Sequence, residues 1–303
     1  MSTVPETIQK MMEKFNLTDK QDEIARAQRD RVLEGAEREL SIKTRFISGS
    51  YGRHTNLRPL HDIDLFLELE PKAHGGPGQV LPAEVLETVK AALEKTNYGK
   101  EATLQRRSVN IQFTGTEIGY DLVPSFKESE DVYLIPDLGM NGWVKTNPRV
   151  HREFTMAANK RAGDMGLGLI RALKRWNTKT GKPLRSFHVE LMVAGLLQDK
   201  PESYAEGLRM LFDKLRWQVD QRCPDPAGLS GYVDEGTPSL DRQRAKDGLE
   251  TAFRAAEKAR ELEVKGDHEG AHKLWRQIFG DVYPEAGAAP KVSLAPLDKS
   301  RFG

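Results

Sequence analysis

The sequence predicts an α+β fold in which a mixed β-sheet is followed by a helical half. Runs of β-prone residues separated by turn signals fill residues 43–136, and one helical pattern, from about Pro82 to Thr96, interrupts them. From Val150 onward, apolar residues recur at three- and four-residue spacing, as is typical of amphipathic helices. The expected units are a sheet-containing core with N-terminal helices over 1–150, a helical domain over 151–282 and a C-terminal tail over 283–303.

Helical segments are predicted on both sides of the sheet region. They span 6–15 and 19–40 before it, and 150–163, 166–179, 186–199, 203–221, 237–265 and 268–279 after it, with a loop over 225–232. Thr18 or Asp19 can cap the second helix. In the last helix Trp275 and Phe279 stand four residues apart on one face, so we expect both in the core.

The composition indicates a chain that can bury a core and stay in solution. Of its 303 residues, 38% are hydrophobic and 30% are charged. No apolar run approaches a membrane span and the N-terminus lacks a signal pattern, so we expect a cytoplasmic protein. The single cysteine, Cys223, excludes an intrachain disulfide and a cysteine-rich zinc site. A formal net charge of +1 argues against a protein that tracks long nucleic acid.

The most informative motif is a small-residue turn followed by two acids. Gly49-Ser50 ends a β-prone run, and Asp62 and Asp64 stand about a dozen residues later on either side of Ile63. Residues i and i+2 of a strand point to the same face, so the two carboxylates are expected side by side. Clustered anions of this kind suit Mg²⁺, and the turn can offer backbone N–H groups to a phosphate. The pattern indicates a nucleotidyl-transfer site.

A third acid is expected on a neighbouring strand. Asp121 lies within an apolar strand-like run that ends at Pro124, and the alternating run 109–113 can form its hairpin partner across 114–116. Two metal ions need a bridging clamp, and a third carboxylate would complete it.

Each piece has a simpler explanation when it is taken alone. A Gly-Ser dipeptide is usually only a turn, and an Asp-x-Asp pair is often a solvated strand face. Here Ile63, Leu65 and Phe66 make a solvated face implausible. The order of turn, paired acids and third acid therefore favours the functional interpretation.

The helical half adds polar residues that can meet a triphosphate. Arg171, Lys174 and Arg175 lie on neighbouring turns of one predicted helix, a pattern that is by itself usually a solvated face. Ser186 can cap the next helix, whose N-terminus would favour an anion, and Phe187 follows it.

The turn and the three acids resemble the motif of the DNA polymerase β-like nucleotidyltransferases. The resemblance implies that Gly49 and Ser50 grip phosphates, and that Asp62, Asp64 and Asp121 bind two Mg²⁺ (or Mn²⁺) ions. Poly(A) polymerases, tRNA CCA-adding enzymes and cyclic-oligonucleotide synthases all share this motif.

The lysine helix followed by Ser-aromatic-His-x-Glu is similar to the cyclic GMP-AMP synthase-like and oligoadenylate synthase-like enzymes, particularly the bacterial CD-NTases of antiphage defence (CBASS). The resemblance covers about residues 40–285 and implies an oligoadenylate-synthase-like helical domain. It also implies that Lys174 and Ser186 hold the donor triphosphate, and that Phe187, where tyrosine is commoner, stacks on the base.

The activity implied by this resemblance is synthesis of a cyclic di- or trinucleotide second messenger from ATP and another NTP such as GTP, with release of pyrophosphate. Two alternatives remain from the residues alone. A template-independent enzyme acting on RNA or tRNA 3′ ends would share the aspartates, whereas a non-catalytic nucleotide sensor would be expected to have lost them.

Several single residues carry weaker expectations. His188 is expected to be a packing residue, and His54 and His61 are expected to be solvated loop residues. Asn159 and Arg161 are candidates for choosing the base at the rim of the cleft.

The resemblance also implies protein partners. Some bacterial relatives are joined through their C-terminal residue to other molecules by a ubiquitin-ligase-like protein encoded nearby. Gly303 would be the corresponding site here, on a tail expected to be mobile because it is proline-containing and lacks helical periodicity. A regulatory partner is expected, and a long nucleic acid is not.

Overall fold

The computed structural model describes residues 2–96 and 101–285. The helices are α1 (Val4–Lys14), α2 (Asp19–Glu39), α3 (Gly49–Gly52), α4 (Pro71–His74), α5 (Pro82–Glu94), α6 (Pro148–Arg161), α7 (Gly166–Lys179), α8 (Ser186–Leu196), α9 (Tyr204–Gln218), α10 (Ser239–Val264) and α11 (His268–Phe279), followed by a 3-10 turn (Gly280–Val282). The strands are β1 (Ile42–Ile47), β2 (Asp62–Leu69), β3 (Thr103–Leu104), β4 (Val109–Gln112), β5 (Gly119–Ser129), β6 (Val132–Asp137) and β7 (Gly142–Thr146).

The strands form a mixed sheet with β2 and β5 at its centre. The order is β1-β2-β5-β4-β3, and β6 pairs with the far end of β5 and with β7. The β2–β5 pair is parallel, whereas the other pairs are antiparallel. The predicted α+β class and the hairpin between β4 and β5 are confirmed. The sheet continues past the predicted limit of 136, because β7 follows β6 through a tight turn.

The pleat of β2 separates its residues into two faces. Ile63, Leu65 and Leu67 are buried in a cluster that includes residues of α2 and α5. Phe66 belongs instead to a small aromatic cluster on the opposite face, beside Phe46 and Tyr133. Because side chains alternate along a strand, Asp62 and Asp64 lie on the face of Phe66.

Helix α1 packs with the helical half of the molecule. Val4, Ile8 and Met11 are fully buried in the same cluster as residues of α7, α9 and α11. By contrast, α2 buries Ala25 and Val32 against the sheet. The predicted unit 1–150 grouped both N-terminal helices with the sheet, and the core assigns the first of them to the other side.

The predicted helices agree with the structure to within a few residues at each end. The ranges 166–179 and 268–279 are reproduced, and Thr18 caps α2 in a reciprocal pair of bonds with Gln21. The helix predicted over 186–199 ends earlier, at Leu196.

The described C-terminal residues are anchored rather than loose. Tyr283 is 1% exposed, and its hydroxyl lies 2.7 Å from Nδ1 of His272. The tail that we predicted from 283 therefore starts too early. Trp275 and Phe279 are buried as predicted, with stacked rings 6.2 Å apart. Gly303 and the prolines of the predicted tail beyond Pro284 lie outside the described residues.

Candidate active site

The three predicted aspartates lie on the two central strands. Asp64 and Asp121 are direct register partners in the parallel β2–β5 pair, and Asp62 is paired with Gly119. Tyr120 and Leu122 belong to the buried cluster on the other side of the sheet, so Asp121 shares a face with the β2 acids. Asp62 is exposed, whereas Asp64 and Asp121 are half-buried. The sheet thus brings together the three acids that the sequence indicated.

The Gly49 turn packs directly against Asp64. Gly49 has a φ of +59°, and a Cβ there would stand 1.6 Å from Oδ2 of Asp64. The turn is fixed to the strand because Ser48 N–H donates to the Asp64 carbonyl at 2.9 Å. Only glycine accommodates both the backbone conformation and this close approach. The structure therefore places the predicted phosphate-binding turn beside the acids.

A second glycine leaves room for the outer carboxylate. A Cβ on Gly119 would lie 2.7 Å from Oδ1 of Asp62 and 2.8 Å from Nδ2 of Asn110. Asn110 in turn donates to Oδ1 of Asp121 at 2.8 Å. Its amide orients the third acid, a role that could not be predicted from the sequence.

The environment of the acids disfavours their charged form. Burial raises the pKa of Asp121 to about 6, and the charges of Asp64 and Asp62 add to this, although the Asn110 bond opposes it. Burial also raises the pKa of Asp64, while Arg53 opposes the shift. Crowded carboxylates with raised pKa values are a place where a cation is favoured.

The donor set fits a magnesium-type ion. All three groups are carboxylates, which suit Mg²⁺ and Mn²⁺. Among residues 2–96 and 101–285, no three acidic, histidine or cysteine side chains converge as a finished ligand set. An open edge of this kind matches Mg²⁺, which commonly takes one or two carboxylates and completes its shell with water and substrate phosphates.

A buried ionic cluster joins this turn to the helical half. Glu190 of α8 pairs with Arg53, whose Nε lies 2.6 Å from Oε1, and accepts from the hydroxyl of Thr55 at 2.7 Å. Lys174 of α7 donates to the Thr55 carbonyl at 2.7 Å, and its Nζ is 3.8 Å from Glu190. Lys174 is 5% exposed, and burial lowers its pKa to about 8, although the charge of Glu190 opposes the shift. The predicted lysine thus reaches the turn, although it is tied to protein groups there.

Phe187 stands at the side of this cluster. The Arg53 guanidinium lies 4.6 Å from the centre of its ring, and the ring of His151 meets it at 5.1 Å in an edge-on arrangement. His151 is in turn 2.6 Å from the carboxylate of Asp225. The aromatic residue is therefore held between Arg53 and His151, and His151 connects it to the 225–232 loop.

Contrary to the prediction, Ser186 does not cap α8. It is the first residue of the helix, the N-cap position is Arg185, and no side chain caps the helix there. The half-buried Ser186 side chain forms no hydrogen bond with another described residue, and the first turn of the helix has no acidic residue. An anion at this helix end would therefore meet open backbone donors.

The remaining predicted candidates have structural partners. Asn159 accepts from the backbone of Leu167 and donates to Asp164, and Arg161 donates to the carbonyls of Ala194 and Leu197 at the end of α8. These bonds give both side chains a structural role, and the expectation that they choose the base stays a prediction.

The histidines and the other basic residues of α7 occupy varied positions. His188 is fully buried, in agreement with a packing role. His54 and His61 are both exposed, as expected of loop residues. Arg171 bonds to Asn16, whereas Arg175 is half-buried.

Sequence reasoning missed Arg53, Thr55, Asn110 and Glu190. Glu190 was noticed only as the last letter of a helix-opening motif. Its partners Arg53 and Thr55 are separated from it by 137 and 135 positions. The available signal was the placement of an arginine and a threonine shortly after the Gly-Ser turn, which is the segment predicted to face a phosphate.

Comparison with known families agrees with this geometry. A family model described as "Second Messenger Oligonucleotide or Dinucleotide Synthetase domain" matches residues 1–159. A probable cyclic nucleotide synthase of Bacillus cereus is 28% identical over 271 residues, covering 78% of this chain and 81% of the relative. A cyclic AMP-AMP-AMP synthase of Acinetobacter sp. is 27% identical over 278 residues, covering 84% and 77%.

Solved structures share the fold. Escherichia coli CdnC with ATP aligns with a TM-score of 0.76 at 20% identity, over 93% of this chain and 99% of CdnC. The CdnC:HORMA-deltaN complex from the same organism gives 0.73 at 19% identity, over 93% and 98%. Among the described residues, no helix is both long and apolar enough to cross a bilayer.

Proposed function

This chain belongs to the family of second messenger oligonucleotide or dinucleotide synthetases, the CD-NTases of CBASS antiviral defence, and we propose that its β2–β5 edge joins NTPs through Asp62, Asp64 and Asp121. Members of the family are nucleotidyltransferases that make cyclic nucleotide messengers. The single observation that supports the site assignment is the register of Asp64 beside Asp121, with the Gly49 turn packed on Asp64.

Metal binding is expected for the family, and we assign the ions to the aspartates. When bound, two Mg²⁺ or Mn²⁺ ions, one held by Asp62 and Asp64 and one by all three acids, would neutralise triphosphate charge and lower the pKa of the acceptor hydroxyl. The carboxylate-only donor set and the raised pKa values of Asp64 and Asp121 support this assignment.

The chain's own groups then position the reactants. The acceptor ribose hydroxyl forms a bond to the α-phosphorus of the donor, the bond to the pyrophosphate oxygen breaks, and the hydroxyl proton passes to Asp121. Asn110 holds one oxygen of that carboxylate. Repeating the transfer with the ends of the linear product closes the ring and releases a further pyrophosphate.

The triphosphate is gripped from two sides in this proposal. Gly49 and Ser50 offer backbone N–H groups from the turn, while Lys174 and Ser186 approach from the helical half. Lys174 would exchange its bond to the Thr55 carbonyl for a phosphate oxygen, a change favoured by the charge of the incoming anion. Phe187 would stack on the base with the Arg53 guanidinium against its ring.

The substrates that we assign are ATP and a second NTP such as GTP. The CdnC structure contains ATP, and the Acinetobacter relative is named for a product containing only AMP, which supports ATP as one substrate. The family match counts against the RNA 3′-end enzyme and the non-catalytic sensor.

Incubation of the protein with single NTPs and with each NTP pair, in Mg²⁺ or Mn²⁺, tests the proposal. After phosphatase treatment, mass spectrometry should detect a phosphatase-resistant cyclic di- or trinucleotide. Tailed RNA in a parallel reaction with oligonucleotide, and no cyclic product in any mixture, would contradict it.

A regulatory protein is the partner that we propose for this enzyme. The CdnC relative is solved in a complex with a HORMA protein, which supports a partner of that kind, and conjugation of Gly303 by a ubiquitin-ligase-like partner stays a prediction. Adding the protein encoded by each neighbouring gene to the synthesis assay tests for a regulatory partner. Deleting the last few residues and following conjugation in cells tests the second, and unchanged conjugation would reject it.

A further inference from the structure

Glu190 is a fully buried carboxylate that receives contacts from four residues in three separate parts of the chain. Arg53 reaches both of its oxygens, at 2.6 and 3.4 Å. Thr55 and Thr155 donate their hydroxyls at 2.7 and 3.1 Å. Nζ of Lys174 stands 3.8 Å away. The side chain is 0% exposed, so it cannot contact a nucleotide in this arrangement.

The cluster keeps this carboxylate ionised. Burial opposes the charge, but the Arg53 guanidinium, the Lys174 ammonium and the Thr55 hydroxyl together lower the pKa of Glu190. A bidentate arginine–carboxylate pair fixes the relative orientation of the two side chains as well as their distance. A buried charge whose partners are all in place holds those partners in one geometry.

The partners of Glu190 are the residues that close the phosphate-binding turn. Arg53 N–H donates to the Gly49 carbonyl at 3.1 Å, and Thr55 N–H donates to the Ser50 carbonyl at 2.9 Å. The Thr55 carbonyl accepts from Lys174. One carboxylate of α8 is thus linked to both ends of the turn and to the lysine of α7.

We propose that Glu190 is a positioning residue for nucleotidyl transfer, which sets the Gly49–Ser50 turn and Lys174 in a single arrangement around the donor triphosphate. This inference rests on the proposed function, because it takes the turn and the lysine as the triphosphate grip. Glu190 contacts none of the three aspartates and acts through Arg53, Thr55 and Lys174.

The test compares Glu190→Gln with Asp137→Asn. Glutamine keeps the volume but removes the charge that pairs with Arg53. Asp137, the last residue of β6, is a matched control, because its side chain is also 0% exposed and is paired with two arginines, Arg106 and Arg107, between β3 and β4. Product synthesis by the full chain is measured against donor NTP concentration and against pH, and folding is followed by thermal melting.

The expected result is a selective loss of productive donor binding. The ratio kcat/KM of Glu190→Gln should fall by about 100-fold, the scale of a 1 Å misplacement, whereas Asp137→Asn keeps the wild-type value. The KM for the donor should account for most of the fall. A wild-type value of kcat/KM in Glu190→Gln would overturn the inference and leave the proposed function intact. If the wild-type protein itself makes no product, the proposed function is rejected.

The pH profile separates positioning from simple destabilisation. Several charged groups surround Lys174. They are Glu190 of α8, Arg53 after the turn, Asp64 of β2 and Arg171 of its own helix. The charge of Glu190 raises the pKa of Lys174. The Glu190→Gln substitution removes that charge and lowers the pKa of Lys174, so the alkaline limb of the activity profile should move to lower pH. An alkaline limb at the wild-type position would overturn the inference.

Arg53→Lys provides a second route if Glu190→Gln does not fold. It keeps the positive charge and loses the two-pronged contact with Glu190, so the donor KM should rise while kcat changes less. An unchanged KM would contradict the role assigned to the pair.

Discussion

Without a bound cation, the ionised carboxylates of the β2–β5 edge lower the stability of the folded state. Asp121 has a pKa of about 6, well above its ordinary value, because it is buried beside two further acids. The folded state therefore binds its proton more tightly than the unfolded chain. Stability from this group is fully present below the unfolded pKa near 4 and is lost as pH rises through 6.

Asp121→Asn should raise the free energy of unfolding at pH 7, on the order of 2 kcal/mol without metal, while abolishing synthesis. The asparagine can keep the bond from Asn110 and no longer carries a buried charge. Thermal melts at pH 4 and pH 7 measure the difference, which should shrink at the acid pH. A variant less stable than wild type at pH 7 would contradict the pKa argument.

Gly49→Ala should remove activity and lower stability. The new Cβ would overlap Oδ2 of Asp64, and the backbone lies in the left-handed region, which costs roughly 1–2 kcal/mol for a residue with a Cβ. Gly115→Ala is the control, since a Cβ at Gly115 would meet nothing within 4 Å. Melting temperature and product formation are compared, and an active, stable Gly49→Ala would show that the turn does not press on Asp64.

At the level of residues, the sequence predicted the acids and the glycine turn but not what holds them. Asp62 and Asp64 could be found because strand periodicity fixes which side chains share a face. The Glu190 cluster could not, since Arg53 and Thr55 lie more than 130 positions away from Glu190. Ser186 was misplaced by one position, because Arg185 takes the N-cap conformation without a side-chain bond.

At the level of elements, the 225–232 loop is organised by one side chain. Asp225 accepts from the backbone of Ala227, Leu229 and Ser230, and it contacts His151. Although burial opposes ionisation, these donors together hold the pKa of Asp225 below its usual range. The sequence predicted a loop here because of its Pro and Gly content, but it could not predict that the loop has a fixed form.

Asp225→Ala should release this loop. The N–H groups of Ala227, Leu229 and Ser230 would lose their charged acceptor, at a cost on the order of 2 kcal/mol. The stabilising effect of an acid with a lowered pKa is present above its unfolded pKa and is lost as pH falls, so the difference from wild type should decline below about pH 4. Limited proteolysis should cut the variant within 225–232 at neutral pH. Equal resistance of both proteins would contradict the prediction.

Tyr283 is a second element-level anchor. Tyr283→Ala should lower the free energy of unfolding by about 3 kcal/mol, since a large buried ring and a bond to His272 are lost. A chain ending at Glu285 keeps this anchor and should melt at the wild-type temperature. Denaturant unfolding of both variants checks this, and a strongly destabilised chain ending at Glu285 would contradict the prediction that Tyr283 is the anchor.

At the level of the whole molecule, the fold class was predictable because the periodicity changes from two to nearly four near Val150. The assignment of α1 was not, since an amphipathic helix does not indicate which core it will join. Its apolar face packs against helices that come more than 150 residues later. The two halves are thus linked through α1 and through the contacts of Glu190.

The most direct test of the central claim compares wild type with Asp62→Asn/Asp64→Asn in one assay with α-labelled ATP, a second NTP and Mg²⁺. The account predicts phosphatase-resistant labelled product and pyrophosphate release by wild type. The double variant should be folded, because like-charge repulsion is relieved, and should give neither signal. Labelled cyclic product from the folded double variant would contradict the claim that these carboxylates carry the reaction.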